Sequence, residues 1–256
     1  MPSLAAAVSA CTLGLLVATS PALAAEIKVL TTGAFKPVLE ALVPSFEAET
    51  GHKVTVQNDT AGAVARRVEA GEAFDLLVLT PGGLAELAKK GRLADARPTE
   101  LAKVGVGVAV KQGAPKPDIG SADAFKAAIK NAGKVAMIDP EAGGSSGIYL
   151  KRLFERWGIW DHVKAKAVLV PGGLVATRVV SGEAEIAIHQ ISEILAVKDA
   201  VLVGPLPREI QNDTIYAGAI AATTPAADAA TAFLRTLAGP QAAKVLDEKG
   251  MMPAGS

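Results

Sequence analysis

One cysteine, Cys11, is all the thiol that the 256-residue sequence carries, and it lies in an apolar N-terminal stretch. An intrachain disulfide is excluded, as are a zinc site built on paired cysteines and thiolate chemistry in the rest of the chain. Aromatic residues are scarce, at 4%, too few for a stacking platform along a nucleic acid strand. Neither sign of charge is in excess, since Lys and Arg number 26 and Asp and Glu number 26. No global field therefore recruits DNA or an anionic membrane, and no nucleic acid partner is expected. The histidines are His52, His162 and His189, with no metal-ligand spacing, so neither a metal nor a cofactor is expected. The Gly-x-Ser-x-Gly elbow is absent, and Thr31-Thr32-Gly33 lacks the rest of a dinucleotide fingerprint. A charged ligand must be held by local groups.

Apolar material, by contrast, is plentiful. Half of the residues are apolar, enough for one or two compact domains with proper cores. Residues 5–25 are uncharged and small, and Ala22-Leu23-Ala24 fits the small-x-small cleavage pattern of a secretory signal. Residues 1–25 are thus expected to be a signal peptide, with a mature start near Ala25 or Glu26, although a basic segment ahead of the apolar stretch is missing. A membrane anchor fits less well, because Ser9, Thr12, Ser20 and Pro21 interrupt the run. Val8-Ser9-Ala10-Cys11 resembles a lipoprotein box, but the apolar stretch continues after it instead of preceding it.

Beyond residue 25 the apolar periodicity alternates between two and 3.6. Strands are expected at 26–30, 53–56 and 74–79, followed by helices at 37–49, 63–70 and 84–90. Small-residue turns join them: Thr31-Thr32-Gly33-Ala34, Asn58-Asp59-Thr60-Ala61-Gly62 and Thr80-Pro81-Gly82-Gly83. This is an α/β pattern with parallel strands, in which ligands sit at the carboxyl ends of the strands. Residues 104–110, with Gly105 and Gly107, read as one long strand passing between two lobes. A helix at 123–131, strands at 134–138, 167–170, 185–188, 201–203 and 215–222, and helices at 148–157, 174–181, 226–237 and 241–248 complete the pattern. The expected architecture has residues 26–103 and 207–256 in lobe 1 and 104–206 in lobe 2. Each lobe is a mainly parallel sheet flanked by helices, and the cleft between them closes about a ligand.

The most informative stretch is Asp139-Pro140-Glu141-Ala142-Gly143-Gly144-Ser145-Ser146-Gly147, between the strand at 134–138 and the helix at 148–157. Strand, glycine-serine turn and helix start together aim free N–H groups and a positive dipole end at an anion. Ser146 acting only as an N-cap explains a serine there without any ligand, but similar turns recur along the chain. Arg66, Arg67 and Arg178 are candidate cations, with a solvated Arg66 paired to Glu69 as the plainer alternative. His189 ends a strand and has Glu193 one helical turn on. A lone histidine is more often structural, yet its place on a ligand turn makes a functional role as good a reading. His52 and His162 read as surface or loop residues, and Trp157 and Trp160 as packing of lobe 2.

Three segments occur in a telling order and spacing: Val64-Ala65-Arg66-Arg67-Val68-Glu69-Ala70-Gly71 with Phe74-Asp75-Leu76, Asp139-Pro140-Glu141 with Gly147-Ile148-Tyr149, and Gly239-Pro240-Gln241-Ala242-Ala243. Through them the chain after residue 25 resembles the periplasmic solute-binding proteins of ABC transporters, specifically the molybdate-binding branch. That resemblance implies a type II periplasmic binding fold, a periplasmic monomer, a small anionic ligand and an ABC permease in the inner membrane as partner. Members of the branch hold their oxyanion with hydroxyls and amides from four or five turns. The ligand-binding residues it implies are Thr32, Gly33, Ala34, Thr60, Ala61, Gly62, Ser145, Ser146, Gly172 and Gln190. Serines of the family are Ala or Gly at the first two turns, and the usual tyrosine of the last is Gln190. A desolvated tetrahedral oxyanion needs several converging donors, so these losses argue for a larger ligand, an organic acid with more than one carboxylate. The family also includes aconitate isomerase, which moves a proton across an allylic system of a tricarboxylate. The leading expectation is a binding protein that catalyses nothing. The alternative is an isomerase of that type with His189 as its base.

Overall fold

The computed structural model describes residues 24–95 and 97–254; all but the last two residues of the expected signal segment, Cys11 included, lie outside them. Lobe 1 begins with β1 (Glu26–Thr32), α1 (Lys36–Thr50), β2 (Lys53–Asp59), α2 (Ala61–Glu69), β3 (Leu76–Leu79), α3 (Pro81–Lys89) and β4 (Thr99–Val104). Lobe 2 follows as β5 (Val106–Lys111), α4 (Ala122–Asn131), β6 (Val135–Ile138), α5 (Ser145–Arg156), α6 (Trp160–Lys164), β7 (Ala167–Val170), α7 (Thr177–Val180), β8 (Ile186–Gln190), α8 (Ile191–Leu195) and β9 (Ala200–Pro205). The chain then returns to lobe 1 for β10 (Thr214–Ile220), α9 (Ala227–Leu237), α10 (Pro240–Glu248) and β11 (Met252–Pro253).

The first sheet has the order β11-β4-β10-β3-β1-β2 and the second β7-β6-β8-β5-β9. Leu76–Leu79 is buried at all four positions, as a central strand with helices on both faces must be. One face of the first sheet packs on α1, α9 and α10 through Phe35, Leu39, Phe46 and Phe233, and the other on α2 and α3 through Val64, Val68, Leu84 and Leu87. In the second sheet Phe125, Leu150 and Phe154 cover one face, with Trp157 and Trp160 packed against them. Val175, Val179 and Ile194 cover the other. No helix among the described residues is long and apolar enough to cross a membrane.

Two expectations change in detail. The parallel pairing holds for β1 with β2 and β3, and for β6 with β7 and β8. The strands next to the crossings, β4, β5, β9 and β10, pair antiparallel instead. Each of these pairs contains β5 or β10, a strand that has just crossed from the other lobe and is not delivered by a crossover helix, so nothing imposes the parallel direction. The single strand expected over 104–110 is two strands in different sheets, parted at Gly105. A Cβ on Gly105 would come within 2.9 Å of Gln211 Nε2. Gln211, on the return crossing, accepts from Val106 N–H at 2.9 Å and donates to the Val106 carbonyl at 3.0 Å. The glycine lets the two crossings lie against each other, and the glutamine pairs the Val106 N–H and adds a second donor to its carbonyl, which also accepts from Leu206 N–H at 2.9 Å.

Candidate functional site

Between the lobes lies a small cavity of about 40 Å³, walled by the ends of β1 and β2, the start of α5 and the junction of β8 with α8. Thr60 caps α2, Gly144 stands at the N-cap of α5 and Gln190 at that of α8, and all three are at the wall. Helix starts leave N–H groups unpaired and carry a partial positive charge. The N–H groups of Ala61, Ser145 and Ser146 make no hydrogen bond to another described residue. Among the described residues at the wall there is no lysine or arginine. An anion here would be met by oriented amides and helix ends, not by a counter-charge.

Thr32, Gly33, Ala34, Thr60, Ala61, Ser145, Ser146, His189 and Gln190 line this one cavity, although they come from five separate elements and turns. Gly62 does not line it: its N–H donates to the Gly143 carbonyl at 3.0 Å, across the lobes. Gly172 does not either. The wall position belongs to Gly173, whose φ of 83° lets the turn tuck inward. Ser146 is not the cap of α5, since the cap is Gly144 and Ser146 lies inside the first turn, 2% exposed. Several predicted ligand groups already have protein partners. Gly33 N–H donates to the Asp59 carbonyl at 3.3 Å. Thr60 Oγ1 accepts from Ala63 N–H at 3.2 Å and donates across the lobes to the Ala142 carbonyl at 2.6 Å. Gln190 Nε2 donates to Thr214 Oγ1 at 2.9 Å.

The candidate cations lie elsewhere. Arg67 pairs with Glu72 at 2.6 Å and Arg178 with Glu183 at 3.0 Å. Glu69 binds Lys90 at 2.6 Å and not Arg66, because helical spacing alone does not decide which cation is nearest. Arg66 is exposed, with its guanidinium beside Gly62 and Gly143. Glu141 points away from the cavity wall, exposed and paired to Lys151 at 3.0 Å.

Sequence reading had not assigned Asn58, Asp59, Ile138 or Tyr216 to the wall, yet all of them line it, together with Gly144 of the glycine-serine turn. Asn58, Asp59 and Gly144 sit in turns already singled out, so their position was accessible. Tyr216 comes from β10, whose alternation says only that it faces a core.

The most unusual feature is the pair His189 and Glu193. His189 Nε2 stands 3.3 Å from Glu193 Oε2, and the residues are 2% and 7% exposed. Burial penalises charge on both. It pushes the His189 ring down to about 3 and the Glu193 carboxyl up to about 8. Both shifts favour the uncharged form, a neutral ring facing a protonated carboxyl. His189 Nδ1 and Gln190 Oε1, also buried at the wall, have no hydrogen-bond partner among the described residues, an uncommon condition for buried polar atoms. Burial, and then the Glu193 charge, raise the Tyr216 hydroxyl as well. No group of three or more His, Cys, Asp or Glu among the described residues is arranged to hold a metal.

Comparison with known proteins shows the family and the fold of the chain. The profile of the bacterial extracellular solute-binding protein family matches residues 27–252. Aconitate isomerase of a Pseudomonas species is 34% identical over 249 residues, spanning 93% of this chain and 94% of that protein. The molybdate-binding protein ModA of Escherichia coli (strain K12) is 28% identical over 230 residues, 88% of each chain. Among solved structures, the periplasmic molybdate-binding protein of Azotobacter vinelandii superposes with a TM-score of 0.73 over 88% of this chain and 98% of that one, at 19% identity.

Proposed function

The chain belongs to the bacterial extracellular solute-binding proteins, and from that membership we propose that it captures a small polycarboxylate between its lobes and shifts a proton along it, as an isomerase of the aconitate type. The observation that carries this reading is the buried pair of His189 and Glu193 at the wall of a cavity without cations. Burying two ionisable side chains is costly, and a vessel for an inorganic oxyanion gains nothing from it. Proton transfer uses ionisable groups held in such a place, and altered proton affinities in a cleft mark a candidate chemical site. A protonated Glu193 also donates a hydrogen bond to a substrate carboxylate where an ionised one would repel it.

The chemistry follows from these groups. His189, kept neutral by burial, is the base; Nδ1 is the ring nitrogen without a protein partner. It takes a proton from the methylene of an unsaturated tricarboxylate. The C–H electron pair moves through the adjacent double bond toward the carboxylate oxygens, and the double bond shifts by one carbon. The same proton is then returned to the far allylic carbon, so no atom is gained or lost. In this reading the amides at the starts of α2 and α5, which line the cavity, stabilise the developing carboxylate charge. Ala34 and Ala61 at the wall carry no hydroxyl to hold a tetrahedral oxyanion, which favours a ligand of another shape.

Capture without turnover, for delivery to an ABC permease in the inner membrane, is the second reading. It is favoured by the cross-lobe hydrogen bonds of Thr60 and Gly62, which any binding protein of this shape would use to clasp its cargo. Both readings place the protein in the periplasm. The test is to incubate purified protein with trans-aconitate and follow the ultraviolet spectrum, with calorimetric titrations of citrate, aconitate and molybdate alongside. Turnover that His189→Ala abolishes is expected. Stoichiometric aconitate binding without turnover would leave the transport reading, and tight molybdate binding would defeat the polycarboxylate.

A further inference from the structure

We infer that Gly33 is a positioning residue: by carrying no side chain it makes the first turn of lobe 1 the seat of the Glu193 carboxyl and so holds that carboxyl against His189. This deepens the isomerase reading and rests on it.

A Cβ built on Gly33 would lie 2.3 Å from Glu193 Oε1 and 3.2 Å from Glu193 Cδ, inside the closest approach that side chains show. The glycine is not needed for its backbone. Its φ lies outside the left-handed region, so an alanine could adopt the same conformation. Nor does it offer an amide to a ligand, because its N–H is spent on the Asp59 carbonyl at 3.3 Å. What remains is space, and the Glu193 carboxyl fills it.

The neighbouring contact points the same way. Ser192 Oγ donates to the Ala34 carbonyl at 2.9 Å, in buried surroundings. Two consecutive residues of α8 thus rest on two consecutive residues of the turn after β1. α8 follows the lobe 2 strand β8, whereas the turn belongs to lobe 1, so the seat exists only where the lobes meet. The carboxyl lies between Gly33 on one side and His189 Nε2, 3.3 Å away, on the other. The other titratable groups at this wall are Asp59 at the end of β2 and Tyr216 on β10. Glu40, Glu248 and Lys249 line a separate surface hollow beside Ser192.

A methyl group at position 33 meets the far end of a flexible side chain, so Glu193 yields and the fold does not. The test compares wild type, Gly33→Ala, Glu193→Ala and the double variant, full chain, with trans-aconitate. Gly33→Ala is expected to lower kcat roughly 10- to 100-fold, the scale of a small misplacement of a reacting group. The variant should stay folded, and the alkaline limb of the pH–rate profile should move to lower pH. In the Glu193→Ala background, where nothing fills the seat, the same substitution should cost almost nothing further. Equal losses in both backgrounds, or an unaltered rate and pH profile, would overturn the inference. If wild type shows no turnover, the isomerase reading fails on its own. The seat is then judged by Tm against pH: wild type should lose stability as pH rises toward 8 and Gly33→Ala should not, whereas identical curves would again overturn it.

Discussion

His189 and Glu193 depart from their ordinary proton affinities in opposite directions, and the effect on stability can be followed by sign. Glu193, raised from 4.5 to about 8, stabilises the fold fully below its ordinary value, and that contribution fades as pH rises through the folded one. His189, lowered from 6.5 to about 3, stabilises the fold fully above its ordinary value, and that contribution is lost as pH falls toward the folded one. The two offset each other between the ordinary values. The part of the Tm curve due to the pair should therefore be level from pH 4.5 to 6.5 and decline on either side. Thermal scans across pH should show the alkaline decline in wild type and its loss in Glu193→Gln; an unchanged slope would mean that Glu193 is ionised in the fold. For turnover, His189→Ala should cost roughly 10²–10⁴-fold, the usual contribution of a general base, read from initial rates with trans-aconitate. These residues were legible singly, His189 as a histidine on a ligand turn and Glu193 as its neighbour one turn on. That both are buried was not, because strand ends and short helices are usually wet.

Among the elements, the turn before α2 and the turn before α5 meet across the cavity mouth. A Cβ on Gly62 would lie 3.0 Å from Gly143 Cα, and Gly143 itself has a φ of 82°. With Thr60 bound to the Ala142 carbonyl at 2.6 Å, this contact holds the mouth shut. Gly62→Ala forces the two turns apart by a few tenths of an ångström. Calorimetry should show ligand affinity weakened by about tenfold, equivalent to about 1.4 kcal/mol, with the Tm of the free protein unchanged; equal affinity would show that the contact does not hold the closed form. Helix and strand periodicity had announced α1, α2, α5 and α9 to within a few residues, since each has an apolar face several turns long. The five-residue helix α8 and the strand β4 were not announced. α8 is too short to show a period, and β4 is ordered by its pairing with β10.

Across the whole molecule, each lobe buries a core of its own, and the lobes join through the crossings near Gly105 and Gln211. Phe154 is fully buried beside Phe125 in lobe 2. Phe154→Ala should lower unfolding stability by about 3–5 kcal/mol, measured with urea. In hydrogen exchange the lost protection should concentrate in α4, α5, α6 and β6; equal losses in the first sheet would show that the lobes unfold as one unit. The order of strands and helices, the small-residue turns between them and the two-lobed α/β class were determined by the sequence alone, because each depends on residues a few positions apart. Tertiary structure decided which turns meet, which glycines leave room for a neighbour and which acids and cations pair. Arg67 turned from the ligand toward Glu72, Gly62 toward Gly143 and Gly33 toward Glu193. Each of those contacts joins atoms brought together by packing from separate segments, and no local period records where a distant partner will come to rest.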